Sequence, residues 1–187
     1  MVICIDCDNV LNNLQEVVTN VFNDKYGTSY SLDIFTKYNI SECINRDDAT
    51  KMTSIYHDVG IYNLVHPISG ARQAIQKLLR AGHDVYIVTY SFSDIFDEKC
   101  NWIKYHFPEI DDAHIIAMKH KWLFKCDVMI EDCFETLIEK PYYHRICFDQ
   151  PWNRYDRDYI YGIHRANNWK EVVDFVNKIY KEESDAM

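Results

Sequence analysis

The chain has 187 residues, with 20 basic against 29 acidic side chains and a formal net charge of −9 at pH 7. That balance excludes a protein that grips extended nucleic acid over its surface, which needs clustered Lys and Arg, but leaves room for a small anion bound at one local positive site. Hydrophobic residues make up 48% of the chain, with only 5 Gly and 4 Pro, so a packed domain of ordinary size is expected rather than a disordered or linker-rich chain, and no apolar run approaches the roughly 20 residues that span a bilayer.

The N-terminus, Met1-Val2-Ile3-Cys4-Ile5-Asp6, reaches an acid without a basic stretch, so no signal peptide is read. The seven cysteines are an odd number and form no Cys-x-x-Cys pair. Reduced thiols in a cytoplasmic protein are therefore expected, most of them small core residues. The size suits a monomer or a homodimer.

Val2 to Ile5 is a short apolar run that ends at Asp6 and predicts the first strand. Residues 12–66 follow, rich in Asn, Asp, Thr and Tyr, with helical stretches near 13–26 and 47–59. A helix is predicted over 69–82, because Ala71, Ala74, Ile75, Leu78 and Leu79 share one face, with Ser69 as its cap and Gly82 beyond its end. Val85 to Val88 predicts a strand ending at Thr89, and residues 94–106 a helix opened by Asp94. Three more runs, Ile115 to Met118, Val128 to Ile130 and Ile146 to Phe148, predict strands, the last two ending at Glu131 and Asp149. Trp169, Val172, Val173, Val176, Ile179 and Tyr180 line one face of a final helix over 168–181, and Lys181 to Met187 reads as a frayed charged tail.

Continuous β-branched runs alternating with helices indicate an α/β fold with a central parallel sheet flanked by helices. About eighty residues separate the first two strands, far more than one crossover helix needs. The division expected is a core of residues 1–11 and 67–187, with residues 12–66 inserted as a small helical cap.

In open α/β sheets, ligands bind at the carboxyl ends of the strands. The residues at those ends are Asp6 and Asp8, Thr89 with Tyr90 and Ser91, Glu131 with Asp132, and Asp149. An aspartate often just ends a strand in a turn, but acids from separate strands at one rim repel each other unless a cation lies among them. Oxygen-only ligands favour a hard cation, and Mg2+ suits a few carboxylates, waters and a substrate phosphate. Lys119, Lys121 and Lys125 each could offset that charge, and the sequence alone leaves the choice among them open.

These residues resemble the motifs of the haloacid dehalogenase (HAD) superfamily. Ile5-Asp6-Cys7-Asp8-Asn9-Val10-Leu11 is similar to its first motif, Asp-x-Asp-x-Val or Thr. Val85-Tyr86-Ile87-Val88-Thr89 resembles the second, Lys121 the third, and Asp127-Val128-Met129-Ile130-Glu131-Asp132 the fourth. More narrowly, His66-Pro67-Ile68-Ser69-Gly70-Ala71, Glu98-Lys99 with Trp102, and Phe148-Asp149-Gln150-Pro151-Trp152-Asn153 are similar to the 5′(3′)-deoxyribonucleotidase family. The resemblance implies a Rossmann-like HAD core with a C1-type cap after the first strand. It implies a Mg2+-dependent phosphomonoesterase acting on (deoxy)ribonucleoside monophosphates through an aspartyl-phosphate.

Residue by residue, the resemblance makes Asp6 the nucleophile and Asp8 the acid and base. It makes Asp6, the main-chain carbonyl of Asp8, Asp132 and, in support, Glu131 the metal site. Thr89, Tyr90, Lys121 and Lys99 become phosphate-binding. Phe22, Phe35, Tyr38, Tyr56 and Tyr62, in or beside the cap, could stack on a base or pack the cap itself; Tyr62, Phe35 and Leu14 are the substrate-binding candidates. The chain departs from the family at Tyr90, where a small hydroxyl residue is common, and at Glu131 and Cys133, where a second aspartate and an arginine are usual. Two other readings stay open: another small phosphate ester (a sugar phosphate, a cofactor or a 3′-phosphorylated nucleic-acid end), or a binding protein that kept the fold without turnover.

Overall fold

A computed structural model describes residues 1–138, 144–154 and 161–186. Its centre is a six-stranded sheet of β1 (Val2–Ile5), β2 (Asp84–Thr89), β3 (Ile115–Ala117), β4 (Val128–Glu131), β5 (His144–Phe148) and β6 (His164–Ala166). The spatial order is β3-β2-β1-β4-β5-β6, and every neighbouring pair is parallel. The chain runs outward from β1 to β3, then returns to place β4 on the other side of β1. The order therefore reverses between β1 and β4, the crevice where such sheets bind ligands. The register sets Ile5 beside both Ile87 and Ile130, so the carboxyl ends of β1, β2 and β4 stand level.

The pleat explains the short apolar runs. Ile3, Ile5, Val85, Ile87, Val128 and Ile130 join one buried cluster, while Cys4, Val88, Met129 and Cys147 join another. Each Ile, Val or Leu so buried contributes roughly 1.5–3 kcal/mol relative to exposure. Covering both faces therefore selects runs without polar alternation. The helices α3 (Ala71–Arg80), α4 (Phe96–His106) and α6 (Trp169–Asp185) supply Ile75, Leu78, Trp102, Ile103, Trp169 and Val176 to the first cluster. Cys126, Phe134, Leu137 and Ile163 fill the second, with α5 (Phe134–Ile138) contributing two of them. Cys4, Cys126 and Cys147 are buried and serve as small core side chains.

Residues 12–66 form α1 (Leu14–Tyr26), α2 (Arg46–Ile55) and short 3-10 turns at Leu32–Ile34, Ile40–Glu42 and Ile61–Asn63. Their two ends are tied side by side. Ile68 N–H donates to the Leu11 carbonyl at 2.8 Å, Asn13 N–H to the His66 carbonyl at 3.2 Å, and Asn12 and Pro67 form an isolated antiparallel bridge. Phe22, Phe35, Met52, Ile55 and Tyr62 from this segment are buried in the same cluster as the sheet.

Several boundaries differ from expectation. Helix α4 starts at Phe96 because the Asp94 carboxylate turns away to His57 Nδ1, 2.9 Å distant, instead of capping. Helix α3 is capped by Gly70, which is left-handed at φ +85°, so the Ser69 side chain plays no capping part. The expected frayed tail is helical as far as Asp185: the Ser184 hydroxyl donates to the Tyr180 carbonyl, and Lys178 lies 3.9 Å from Glu182. Strand β6 gave no signal, since His164-Arg165-Ala166 is not an apolar run, and pairing with β5 defines it.

Candidate active site

Just past β1 the backbone turns sharply. Asp6 N–H still donates to the Ile130 carbonyl at 2.9 Å, and the Leu11 and Asn12 N–H groups fold back on the Cys7 carbonyl at 2.9 and 3.3 Å. Asn9 takes a left-handed φ of 60°, a region that asparagine tolerates better than most residues. Its N–H donates to Asn12 Oδ1 at 3.1 Å. Its Oδ1 accepts from Gln15 N–H at 2.8 Å, and its carbonyl from Gln150 Nε2 at 2.6 Å. This turn presents both Asp6 and Asp8 to one cavity above the sheet.

Asp6 is buried and receives two donors on Oδ1: Lys121 Nζ at 2.7 Å and the Cys7 N–H at 2.8 Å. Lys121 also reaches Glu131 Oε2 at 2.5 Å. The other Glu131 oxygen accepts from the N–H groups of Asp132 and Cys133, both at 3.1 Å. Asp132 accepts the Trp152 indole N–H on Oδ2 at 3.0 Å. One oxygen from each of Asp6, Glu131 and Asp132 lies within 4.8 Å of the others. Three buried carboxylates thus share one ammonium.

The titration shifts express that excess. Burial and the Glu131 charge push the Asp6 carboxyl up to about 6, against the pull of Lys121. Burial, then Glu131 and Asp6, raise Asp132 well above the carboxylate range. Burial works against charge on Glu131 too, yet Lys121 holds its carboxyl below the ordinary value. Burial likewise opposes charge on Lys121, but Asp6 and Glu131 together hold its ammonium firmly protonated. A set of oxygen donors with surplus negative charge can hold a hard divalent cation. Most of the Glu131 carboxylate is already engaged, so Asp6 and Asp132 are its freer ligands.

Asp8 stands beside a second lysine. Lys99, 1% exposed, donates from Nζ to Asp8 Oδ2 at 2.7 Å, to the Tyr90 carbonyl at 2.6 Å and to Thr89 Oγ1 at 3.2 Å. Asp8 Oδ1 accepts from the Tyr62 hydroxyl at 2.9 Å and from Asn12 Nδ2 at 3.0 Å. Burial disfavours the Lys99 charge, but Asp8 outweighs it and the ammonium is strengthened.

The cavity has a volume of about 540 Å³, within the range of small-molecule sites. Asp6, Asp8, Thr89, Tyr90, Lys99, Lys121, Glu131 and Asp132 all line it, as do the candidates Leu14, Phe35 and Tyr62. Of the three lysines left open by sequence, Lys121 is the buried one in contact with Asp6, Lys119 lies exposed at the cavity wall, and Lys125 is exposed. Tyr90 stands at the rim, 46% exposed and edge-on to Phe92, and meets Lys99 through its carbonyl rather than its phenol. Tyr62 is buried with its hydroxyl on Asp8, and Phe22 lies in the core away from the cavity. Sequence reasoning missed Asn12 and gave Trp152 and Asn153 no role; an asparagine or tryptophan carries no chemical signature until a partner is seen.

A family model described as "5′ nucleotidase, deoxy (Pyrimidine), cytosolic type C protein" matches residues 1–181. A 5′(3′)-deoxyribonucleotidase of Bacillus subtilis (strain 168) is 27% identical over 178 residues, covering 91% of this chain and 95% of its own. Among solved structures, a haloacid dehalogenase-like hydrolase from Streptococcus pneumoniae superposes with a TM-score of 0.64 at 12% identity, covering 94% of this chain and 97% of that one. A haloacid dehalogenase-like protein of Agrobacterium tumefaciens gives 0.63 at 14%, covering 96% and 98%. The α/β sheet with its acid-lined crevice is thus a HAD-like hydrolase fold, and the chain belongs to the 5′ nucleotidase, deoxy (pyrimidine), cytosolic type C family of phosphoric monoester hydrolases.

Proposed function

We propose that this protein is a Mg2+-dependent phosphomonoesterase that hydrolyses (deoxy)ribonucleoside monophosphates through a phosphorylated Asp6. The observation that carries the reading is the gathering of Asp6, Asp8, Lys99 and Lys121 with Glu131 and Asp132 in the lining of one cavity. Asp6, Asp132 and the main-chain carbonyl of Asp8 would hold the metal, with Glu131 supporting. When bound, Mg2+ there supplies charge neutralisation on the phosphoryl oxygens.

The protein's own groups divide the work. Both donors on Asp6 sit on Oδ1, which leaves Oδ2 less engaged and available to attack phosphorus. The P–O bond to the alcohol breaks, and the Asp8 carboxyl delivers a proton to that oxygen. Water then attacks the aspartyl-phosphate, Asp8 takes its proton, and Asp6 and inorganic phosphate are released. Lys121 and Thr89 hold the transferring group. Lys99 lies within reach of Asp8 and Thr89, so an arriving phosphoryl dianion competes for its ammonium and loosens the grip on Asp8.

Residues 12–66 serve in this reading as a cap on the catalytic core, and their tied ends at Leu11–Asn13 and His66–Ile68 support that division. The cap brings Phe35, Ile40, Tyr56 and Tyr62 to the cavity, apolar surface suited to a nucleoside. The test is phosphate release from dUMP, dTMP, ribonucleotides and sugar phosphates by wild type and Asp6→Asn. Turnover of nucleotides, absent in the variant, is the expected outcome. Turnover of sugar phosphates alone would replace the substrate assignment, and activity surviving in Asp6→Asn would overturn the mechanism.

A further inference from the structure

The turn after β5 touches the metal-binding acid from behind. Trp152, 8% exposed, donates its indole N–H to Asp132 Oδ2. Its neighbour Asn153, also buried, donates from Nδ2 to the main-chain carbonyls of both Asp132 and Phe148 at 2.8 Å. One amide thereby ties the ends of β4 and β5 together. The turn itself is stiff: Pro151 begins it, and Gln150 and Asn153 cap one another reciprocally. Arg165 donates to Asn153 Oδ1 at 2.6 Å and to Asp149 at 3.0 Å.

Asp132 needs such a support. It lies among like charges, with Asp6 and Glu131 oxygens within 4.8 Å. Without a donor its carboxylate gains by rotating away from them. A cationic partner would hold it, but would also compete with a metal for the same charge. The indole N–H is a neutral donor with no acceptor capacity, so it can hold one carboxylate oxygen without adding positive charge. It takes Oδ2 and leaves Oδ1 for the ion. We propose that Trp152 is a positioning residue that fixes Asp132 for divalent metal binding. The inference rests on the metal site read above. Outer partners of this kind are worth roughly 10–100-fold in metal affinity.

The test is Mn2+ and Mg2+ binding by calorimetry and electron paramagnetic resonance, with wild type, Asp132→Asn, Trp152→Phe and Trp152→Gln. Wild type binding metal well above Asp132→Asn establishes the site; equal binding by the two removes the site itself, whatever Trp152 does. Given the site, Trp152→Phe is expected to bind metal roughly 10–100-fold more weakly. Trp152→Gln, which keeps an N–H donor, should fall between them. At saturating Mg2+ the substrate KM of Trp152→Phe should return to that of wild type, which a merely damaged core would not do. Binding by Trp152→Phe within twofold of wild type overturns the proposal, and so does equal loss in Phe and Gln variants. If circular dichroism finds Trp152→Phe unfolded, Trp152→Gln against Trp152→Met carries the same comparison with the same outcomes.

Discussion

Removing the Asp6 charge should stabilise the metal-free protein, and by an amount that depends on pH. Burial and Glu131 lift the Asp6 carboxyl from 3.8 to about 6, roughly two units, or about 3 kcal/mol at 1.36 kcal/mol per unit. The sign follows from linkage. Between pH 3.8 and about 6 the folded protein holds a proton on Asp6 that the unfolded chain has lost, so stability falls as pH rises through that window and stays reduced above it. Asp6→Asn has no such titration. In EDTA, the variant should therefore gain on wild type from pH 4 to 6 and remain ahead at pH 8, since the pull of Lys121 is already counted in the net rise of the Asp6 carboxyl. For a chain of this size about 3 kcal/mol corresponds to roughly 6–12 °C in Tm. Urea denaturation of both proteins at pH 4, 5, 6, 7 and 8 in EDTA reads the difference directly. A difference that is flat with pH, or wild type the more stable at pH 8, would refute the argument that the site stores uncompensated negative charge.

Three further outcomes test other parts of the site and fold. Tyr62→Phe deletes the hydroxyl donor on Asp8 Oδ1; a hydrogen bond to a charged group is worth about 1.5–3 kcal/mol, so kcat on a nucleotide should fall about tenfold or more. On p-nitrophenyl phosphate, whose leaving group needs no proton, the loss should be small, and an equal loss on both substrates would show that Tyr62 does not act through Asp8. EDTA should abolish phosphate release and Mg2+ restore it, while beryllium fluoride with Mg2+ should raise the Tm of wild type but not of Asp6→Asn; full turnover in excess chelator would contradict the metal role. His83 is buried with both ring nitrogens unpartnered among the described residues, packed edge-on against Tyr180, and burial with the nearby N-terminal amine lowers its pKa below 6.5. Its contribution to stability is present above pH 6.5 and lost as pH falls through the lowered value, so His83→Phe should flatten the acid limb of the stability profile, and an unchanged limb counts against this account.

The sheet was legible because its strands are covered on both faces, which forces runs such as Val128-Met129-Ile130 to be apolar throughout. Strand β6 was not, because an edge strand of three residues is defined by its partner β5 rather than by its own side chains. Helix starts were misread where a capping candidate had a better partner, as Asp94 has in His57. The acids of the site were legible as strand-end residues, since a parallel sheet brings all such ends to one edge.

What the chain determined by itself, then, was an α/β sheet with carboxylates and a lysine at its carboxyl edge, because periodicity and strand ends are local properties. Tertiary structure decided which lysine meets Asp6, that Lys99 and Tyr62 converge on Asp8, and that an indole 20 residues beyond Asp132 holds its carboxylate. Those pairings cross separations of 54 to 115 residues in three of the four cases. No local pattern encodes a partner that only the closing of the sheet and the folding back of residues 12–66 bring within hydrogen-bond distance.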